Sequence, residues 1–145
     1  MMGRRRSQFK KILIGYDGSP QSDKATEIGL ALAHSLDSRV LLFAVARPPE
    51  PATMVELSAM LDDAREHFEE KFKKIVQRAE DLEVALETDI VVGHPVEQIV
   101  HRAEIDHIDL IVLGRRGMSR FEKMLVGSTS EKVLRYAHCP VMVVR

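Results

Sequence analysis

Residues 114–130, GRRGMSRFEKMLVGSTS, have the composition and spacing that most directly suggest chemistry. An apolar run at 110–113 precedes them, and helical periodicity over 129–137 follows. A glycine-bearing turn between a strand and a helix suits phosphate. Glycine admits positive φ and lets backbone N–H groups approach an anion closely. A helix start adds unpaired donors and partial positive charge. Gly114 and Gly117 are expected to make the first turn, with Gly127 and Ser128 just ahead of the last helix. The spacing is G-x2-G-x9-G-[ST], which is neither the Walker A loop nor the dinucleotide G-x-G-x-x-G. A purely structural reading stands beside this one. Ser128 with Glu131, and Ser119 with Glu122, are spaced as capping boxes, and Gly114 can simply end a strand.

Other chemistry finds less support. Asp17 follows the first apolar run and could help to bind a divalent ion indirectly, but no motif pairs it with a second carboxylate. No catalytic residue is assigned on this basis, and no metal ligands either. The six histidines lack metal-ligand spacing, and there is one cysteine. His94 reads as a helix-capping or solvent-facing residue, and His101 and His107 as surface residues. Cys139 reads as a small buried residue, and the seven methionines as core filler and loop contacts.

The elements that must position these residues follow from the hydrophobic pattern. Residues 11–16, KILIGY, are apolar on both faces and suit a buried parallel strand. Ser19 can cap the next helix, with Pro20 at its first position. Ala25, Ile28, Gly29, Leu32, Ala33 and Leu36 give that helix one apolar stripe, and Asp37 with Ser38 closes it. A second apolar run at 40–46 ends in Arg47-Pro48-Pro49-Glu50-Pro51, which excludes regular structure. After a loop within 48–60, a long helix carries the stripe Leu57, Leu61, Ala64, Phe68, Phe72, Ile75, Ala79 and Leu82. Its other face, with Arg65, Glu66, Glu69, Glu70, Lys73 and Lys74, is a solvated one. A strand over 84–92 runs into Gly93-His94-Pro95, and Pro95 opens a helix with Val96, Ile99, Val100 and Ala103 buried. Strands at 109–113 and 141–144 complete the series.

Strand and helix alternate throughout, which predicts an α/β fold with an open five-stranded parallel sheet and helices on both faces. Such sheets bind ligands beyond the carboxyl ends of their strands, where the strand order switches. In this chain those ends carry Asp17, residues 45–47, residues 93–95 and residues 114–117.

Composition bounds the rest. The 145 residues make one domain, residues 11–145, after a basic arm at 1–10 that is expected to be disordered. A hydrophobic fraction of 45% supports a sizeable core, and a net charge of −1 gives no footprint for nucleic acid. One cysteine excludes an internal disulfide framework and fits a reducing, cytoplasmic setting. No run approaches the roughly 18 apolar residues of a membrane span, and MMGRRRSQFKK lacks the apolar core of a secretory signal.

Four segments, KILIGYDGS, Gly93-His94-Pro95, IDLIVLGRRG and HCPVMVV, together with the intact glycine spacing, resemble the universal stress protein family in its ATP-binding branch. The resemblance covers residues 11–144. It implies strand order 3-2-1-4-5, an adenine nucleotide alpha hydrolase-like fold and a homodimer. It also implies adenine-nucleotide binding, ATP with magnesium, in a stress-response role with an unidentified protein partner. Asp17 would lie near ribose and adenine, and Val45 would offer backbone groups to the adenine edge. Gly114 and Gly117 would line the ribose and phosphate path, and Gly127, Ser128 and Thr129 would hold phosphates. Arg115 and Arg116 have no family role but could screen phosphate charge. Ser128, Thr129 and Ser130 would sit at the terminal phosphate, which makes autophosphorylation conceivable. Hydrolysis, which needs a metal, a positioned water and charge stabilisation, is expected to be slow or absent. Two alternatives share the fold: an interaction module that binds no nucleotide, and a sensor of AMP or a cyclic nucleotide.

Overall fold

The computed structural model describes residues 8–115 and 128–145. Along them run β1 (Lys11–Tyr16), α1 (Pro20–Leu36), β2 (Arg39–Ala46), α2 (Met54–Asp81), β3 (Leu86–Val92), α3 (Pro95–Ile105), β4 (Leu110–Gly114), α4 (Ser128–Tyr136) and β5 (Val141–Val144). The strands form one parallel sheet, as the alternating pattern predicts, in the order β3-β2-β1-β4-β5 that the family resemblance implies.

Alternate residues of the central strands feed two cores, which is why those strands are apolar without interruption. Ile12, Ile14 and Tyr16 of β1 pack with Ala25, Leu30 and Ala33 of α1 and with Phe68, Phe72 and Ala79 of α2. Leu13 of β1 packs on the opposite face with Ile99 and Ala103 of α3 and Val133 of α4. Helices α1 and α2 thus cover one face, and α3 and α4 the other.

Local signals set most of the boundaries. Ser19 caps α1, its Oγ accepting the Ser22 N–H at 3.1 Å, and Asp37 ends the helix at φ 55°. The stripe of α1 differs from the expected one. Ser22, Ala25, Thr26, Gly29, Leu30 and Ala33 are buried, whereas Ile28 is exposed and Leu32 and Leu36 are only half-buried. Close approach to the sheet turns the small face inward: a Cβ on Gly29 would stand 2.6 Å from Ile14 Cδ1. The two buried hydroxyls bond to the backbone, Ser22 Oγ to Ser19 O at 3.0 Å and Thr26 Oγ1 to Ser22 O at 2.7 Å, so their burial leaves no donor unmet.

Helix α2 begins at Met54, three residues ahead of the first stripe residue, because Thr53 accepts the Glu56 N–H at 3.1 Å. Apolar periodicity gives no sign of this turn, since Met54 and Val55 are solvent-exposed. The described methionines, Met54, Met60 and Met142, lie outside the buried core as well. Met54 and Met142 are exposed and Met60 is half-buried, the described core being filled instead by branched aliphatic, alanine and aromatic side chains. Helix α4 starts at Ser128, one residue earlier than its periodicity suggests.

Candidate functional site

The carboxyl ends of the strands form one rim, and the sheet divides there at the switch point between β1 and β4. Registered pairing between these strands stops at Ile14–Val112, while β4 stays paired with β5 as far as Gly114–Val144. The β1–β2 ladder ends at Tyr16–Ala44, and β2–β3 continues to Ala46–Val92. Beyond Ile14, then, β1 gives up one neighbour and then the other, and a crevice opens over its end.

The turn after β1 is tightly held. Asp17 is exposed, and its Oδ1 accepts the Ser19 N–H at 2.9 Å in an Asx turn. Gly18 stands at φ 81°, a conformation that disfavours any side chain. Lys71 of α2 reaches across and donates from Nζ to the Gly18 carbonyl at 2.8 Å. Below the turn, the Tyr16 hydroxyl donates to Asp23 Oδ1 at 2.8 Å. Burial, with the Asp23 contact adding to it, holds the phenol well above its ordinary pKa.

Val45 lies one residue beyond the β1–β2 register. The Arg39 N–H donates toward β1, to Lys10 O at 2.8 Å, and that of Val40 toward β3, to Ala85 O at 2.9 Å. Alternation along the strand directs the Val45 amide groups to the β1 side, over the crevice.

Gly114 is not the expected turn. It is the last residue of β4, paired with Val144, and Gly18 is the described glycine with positive φ. Its lack of a side chain has a packing cause. A Cβ there would stand 2.7 Å from both the carbonyl carbon and oxygen of Gln21, in the first turn of α1. The Gly114 carbonyl accepts a hydrogen bond from the buried Ser130 hydroxyl at 2.9 Å, which ties the start of α4 to the end of β4. The Ser130 hydroxyl is therefore engaged with the strand end. The Arg115 N–H donates to Val144 O at 2.7 Å and extends the ladder by one step.

Thr129 is half-buried in a groove of about 740 Å³ between α3 and α4, in company with Arg47, His94 and Lys132. Arg116, Gly117 and Gly127, the Ser119–Glu122 pair and the side chain of Ser128 lie outside the described residues. His94 occupies the N-cap position of α3 but makes no side-chain cap, because its Nε2 is 2.6 Å from Glu50 Oε1. Cys139 is half-buried, and burial pushes its thiol pKa up, away from a reactive thiolate. Among the described residues no three His, Cys, Asp or Glu side chains stand together as a metal site. No described helix is long and apolar enough to cross a membrane.

Sequence reasoning missed Lys71, Ser22 and the role of Ser130. Ser22, three residues after the cap Ser19, carries a local signal of a sort. Lys71 contacts a carbonyl 53 residues away, and nothing local marks it.

The family model described as "Universal stress protein family" matches residues 8–145. The chain belongs to that family. Universal stress protein MJ0531 of Methanocaldococcus jannaschii is 36% identical over 140 residues, covering 94% of this chain and 82% of the relative. Universal stress protein YxiE of Bacillus subtilis is 30% identical over 147 residues, covering 94% and 99%. Among solved structures, universal stress protein UspA from Lactobacillus plantarum superposes with a TM-score of 0.86 at 26% identity, covering 96% of this chain and 99% of its own. The fold is the adenine nucleotide alpha hydrolase-like one. Two further universal stress proteins share it at lower identity. One, solved in complex with cAMP, has a TM-score of 0.75 at 23% identity, covering 96% of this chain and 99% of its own. The other, from Archaeoglobus fulgidus in complex with dAMP, has a TM-score of 0.61 at 18% identity, covering 96% and 100%.

Proposed function

We propose that this universal stress protein binds an adenine nucleotide, ATP with magnesium, across the crevice at the ends of β1, β2 and β4. The observation that carries the reading is the opening of the sheet at the switch point, with Asp17 and the β1-side amide groups of Val45 at its mouth. In this reading Val45 meets the adenine edge through its backbone, and Asp17 meets the nucleoside. Gly114 and Gly117 flank the ribose and phosphate path. Gly127, Ser128 and Thr129 hold phosphate at the start of α4 through backbone N–H and hydroxyl donors. Arg115 and Arg116 screen phosphate charge. Magnesium would arrive on the nucleotide's own phosphates. With no second carboxylate assigned to a reacting water, the role is that of a binder with slow or no hydrolysis. That adenine nucleotides occupy relatives of the same fold lends the reading support.

The test has two stages. Freshly purified protein is denatured, and released nucleotide is identified by mass spectrometry; ATP is expected, while AMP or a cyclic nucleotide would make the protein a sensor of those. Nucleotide-free protein is then melted in rising ATP with magnesium. Binding at about one hundred times Kd stabilises by about 2.7 kcal/mol, and Gly117→Val is expected to abolish the shift. A flat wild-type titration at millimolar ATP would leave an interaction module of the same fold.

A further inference from the structure

Lys71 is the feature of the rim that the nucleotide reading does not use. Its ammonium sits on the turn after β1, 2.8 Å from the Gly18 carbonyl and 3.1 Å from where a Gly18 Cβ would be. Phe68, one helical turn earlier, lies 3.4 Å from the same point and supports the approach. An ammonium has three donors, and the Gly18 carbonyl takes one. Among the described residues no carboxylate forms an ion pair with Lys71, although α2 carries such pairs at Lys73 and Arg78. Beside it, Asp17 has Oδ1 committed to the Ser19 N–H and Oδ2 uncommitted. Lys71 on Gly18 and the neighbouring Asp17 thus bring spare cationic donors and a spare anionic acceptor to one turn from two distant segments of the chain.

The side of the sheet from which Lys71 comes decides which part of a nucleotide it meets. The phosphate end belongs to the start of α4, which packs with α3 on one face. Lys71 comes from α2, on the other face, beside the ends of β1 and β2. This is the nucleoside end. A vicinal diol both donates and accepts hydrogen bonds, and a carboxylate beside an ammonium matches both needs.

We propose that Lys71 reads the ribose, donating to one hydroxyl of the 2′,3′-diol while Asp17 accepts from the other. The inference rests on the nucleotide reading above and adds a specificity to it: ribonucleotides over deoxynucleotides. Lys71→Met keeps an unbranched side chain of similar length beside Gly18 and removes the charge. Nucleotide-free wild type, Lys71→Met and Lys71→Arg are titrated calorimetrically with ATP, 2′-deoxy-ATP and 3′-deoxy-ATP, and apo melting is recorded on the same samples. Wild type is expected to bind ATP about tenfold more tightly than at least one deoxy analogue, as for a charge-assisted hydrogen bond. In Lys71→Met that ratio collapses toward one through weaker ATP binding, and Lys71→Arg restores part of it. If Lys71→Met weakens all three ligands equally, Lys71 only braces the turn and the proposal is wrong. If it changes none of them, the proposal is equally wrong. Should wild type bind no adenine nucleotide, the nucleotide reading itself fails and this one with it.

Discussion

Tyr16 links the end of the central strand to the first helix through one hydrogen bond, and its burial makes that link pH-dependent. A tyrosine in the unfolded chain ionises near pH 10. In the folded protein burial, then Asp23, keep the proton on. The folded state therefore binds the extra proton at alkaline pH. Its stabilising contribution is complete below about pH 10 and is lost as pH rises toward the folded value. Tyr16→Phe is expected to flatten the alkaline fall in stability, measured by urea unfolding between about pH 8 and 11, and to cost about 1 kcal/mol at neutral pH. An alkaline arm unchanged by the substitution would show that this phenol is not its source. Gly114 teaches a different lesson at the same scale. The contact with Gln21 requires glycine there whether or not phosphate binds, so its presence alone is weak support for a ligand.

Among the elements, α3 is fastened to β3 by Arg102. Its Nε and Nη1 donate to Asp106 Oδ2 and Asp89 Oδ2, both at 2.6 Å, and Nη2 lies 3.9 Å from Glu87. The guanidinium stands 5.3 Å from the centre of the Phe43 ring. Hydrogen bonds to Asp106 and then Asp89 raise its pKa further, so the charge is permanent. Removing it leaves three carboxylates close together. Arg102→Met is expected to lower stability by roughly 1–3 kcal/mol in urea unfolding. Arg102→Lys should recover only part, because a compact ammonium lacks the planar, preorganised fork with which the guanidinium meets both carboxylates. Changes within about 0.5 kcal/mol for both variants would mean that solvent already screens the cluster. Asp89 has a second use, for its Oδ1 accepts the Ile90 N–H at 2.9 Å. Strand β3 is the outer strand of that side, and this contact occupies a donor on its open edge.

For the whole molecule, the opposite edge is the contrast. Strand β5, VMVV, has neither a charge nor a proline within it, and Met142, with Leu134 and Tyr136 of α4, is exposed. Pro140 O and Val144 O accept bonds from β4, so alternation turns the Val143 amide groups outward. We propose that two copies pair through this edge about a two-fold axis, which satisfies both strands. Wild type should sediment as a dimer at micromolar concentration, and deletion of residues 141–145 should give aggregated or unfolded protein. Val143→Pro, which removes an outward donor and spares the β4 ladder, should give a folded monomer with an unchanged circular dichroism spectrum. A monomeric wild type would refute the arrangement.

The sequence by itself determined the element order, the parallel sheet and the rim on which Asp17 and Val45 stand. Apolar runs, Pro20 and Pro95 at helix starts and the Ser19 cap act within a few residues, so their effects are written locally. It did not determine which face of α1 turns inward. That depends on how closely the helix meets Ile14, and the answer favours Leu30 over Ile28. Nor could it decide between a turn and a strand end at Gly114, since the backbone that excludes a side chain there belongs to Gln21. The same holds for Ser130 on the Gly114 carbonyl, Lys71 on Gly18 and Arg102 on Asp89. Each of these contacts joins residues of different elements. Such contacts exist only after the helices have packed on the sheet, and the strand order and packing distances that decide them belong to the tertiary structure.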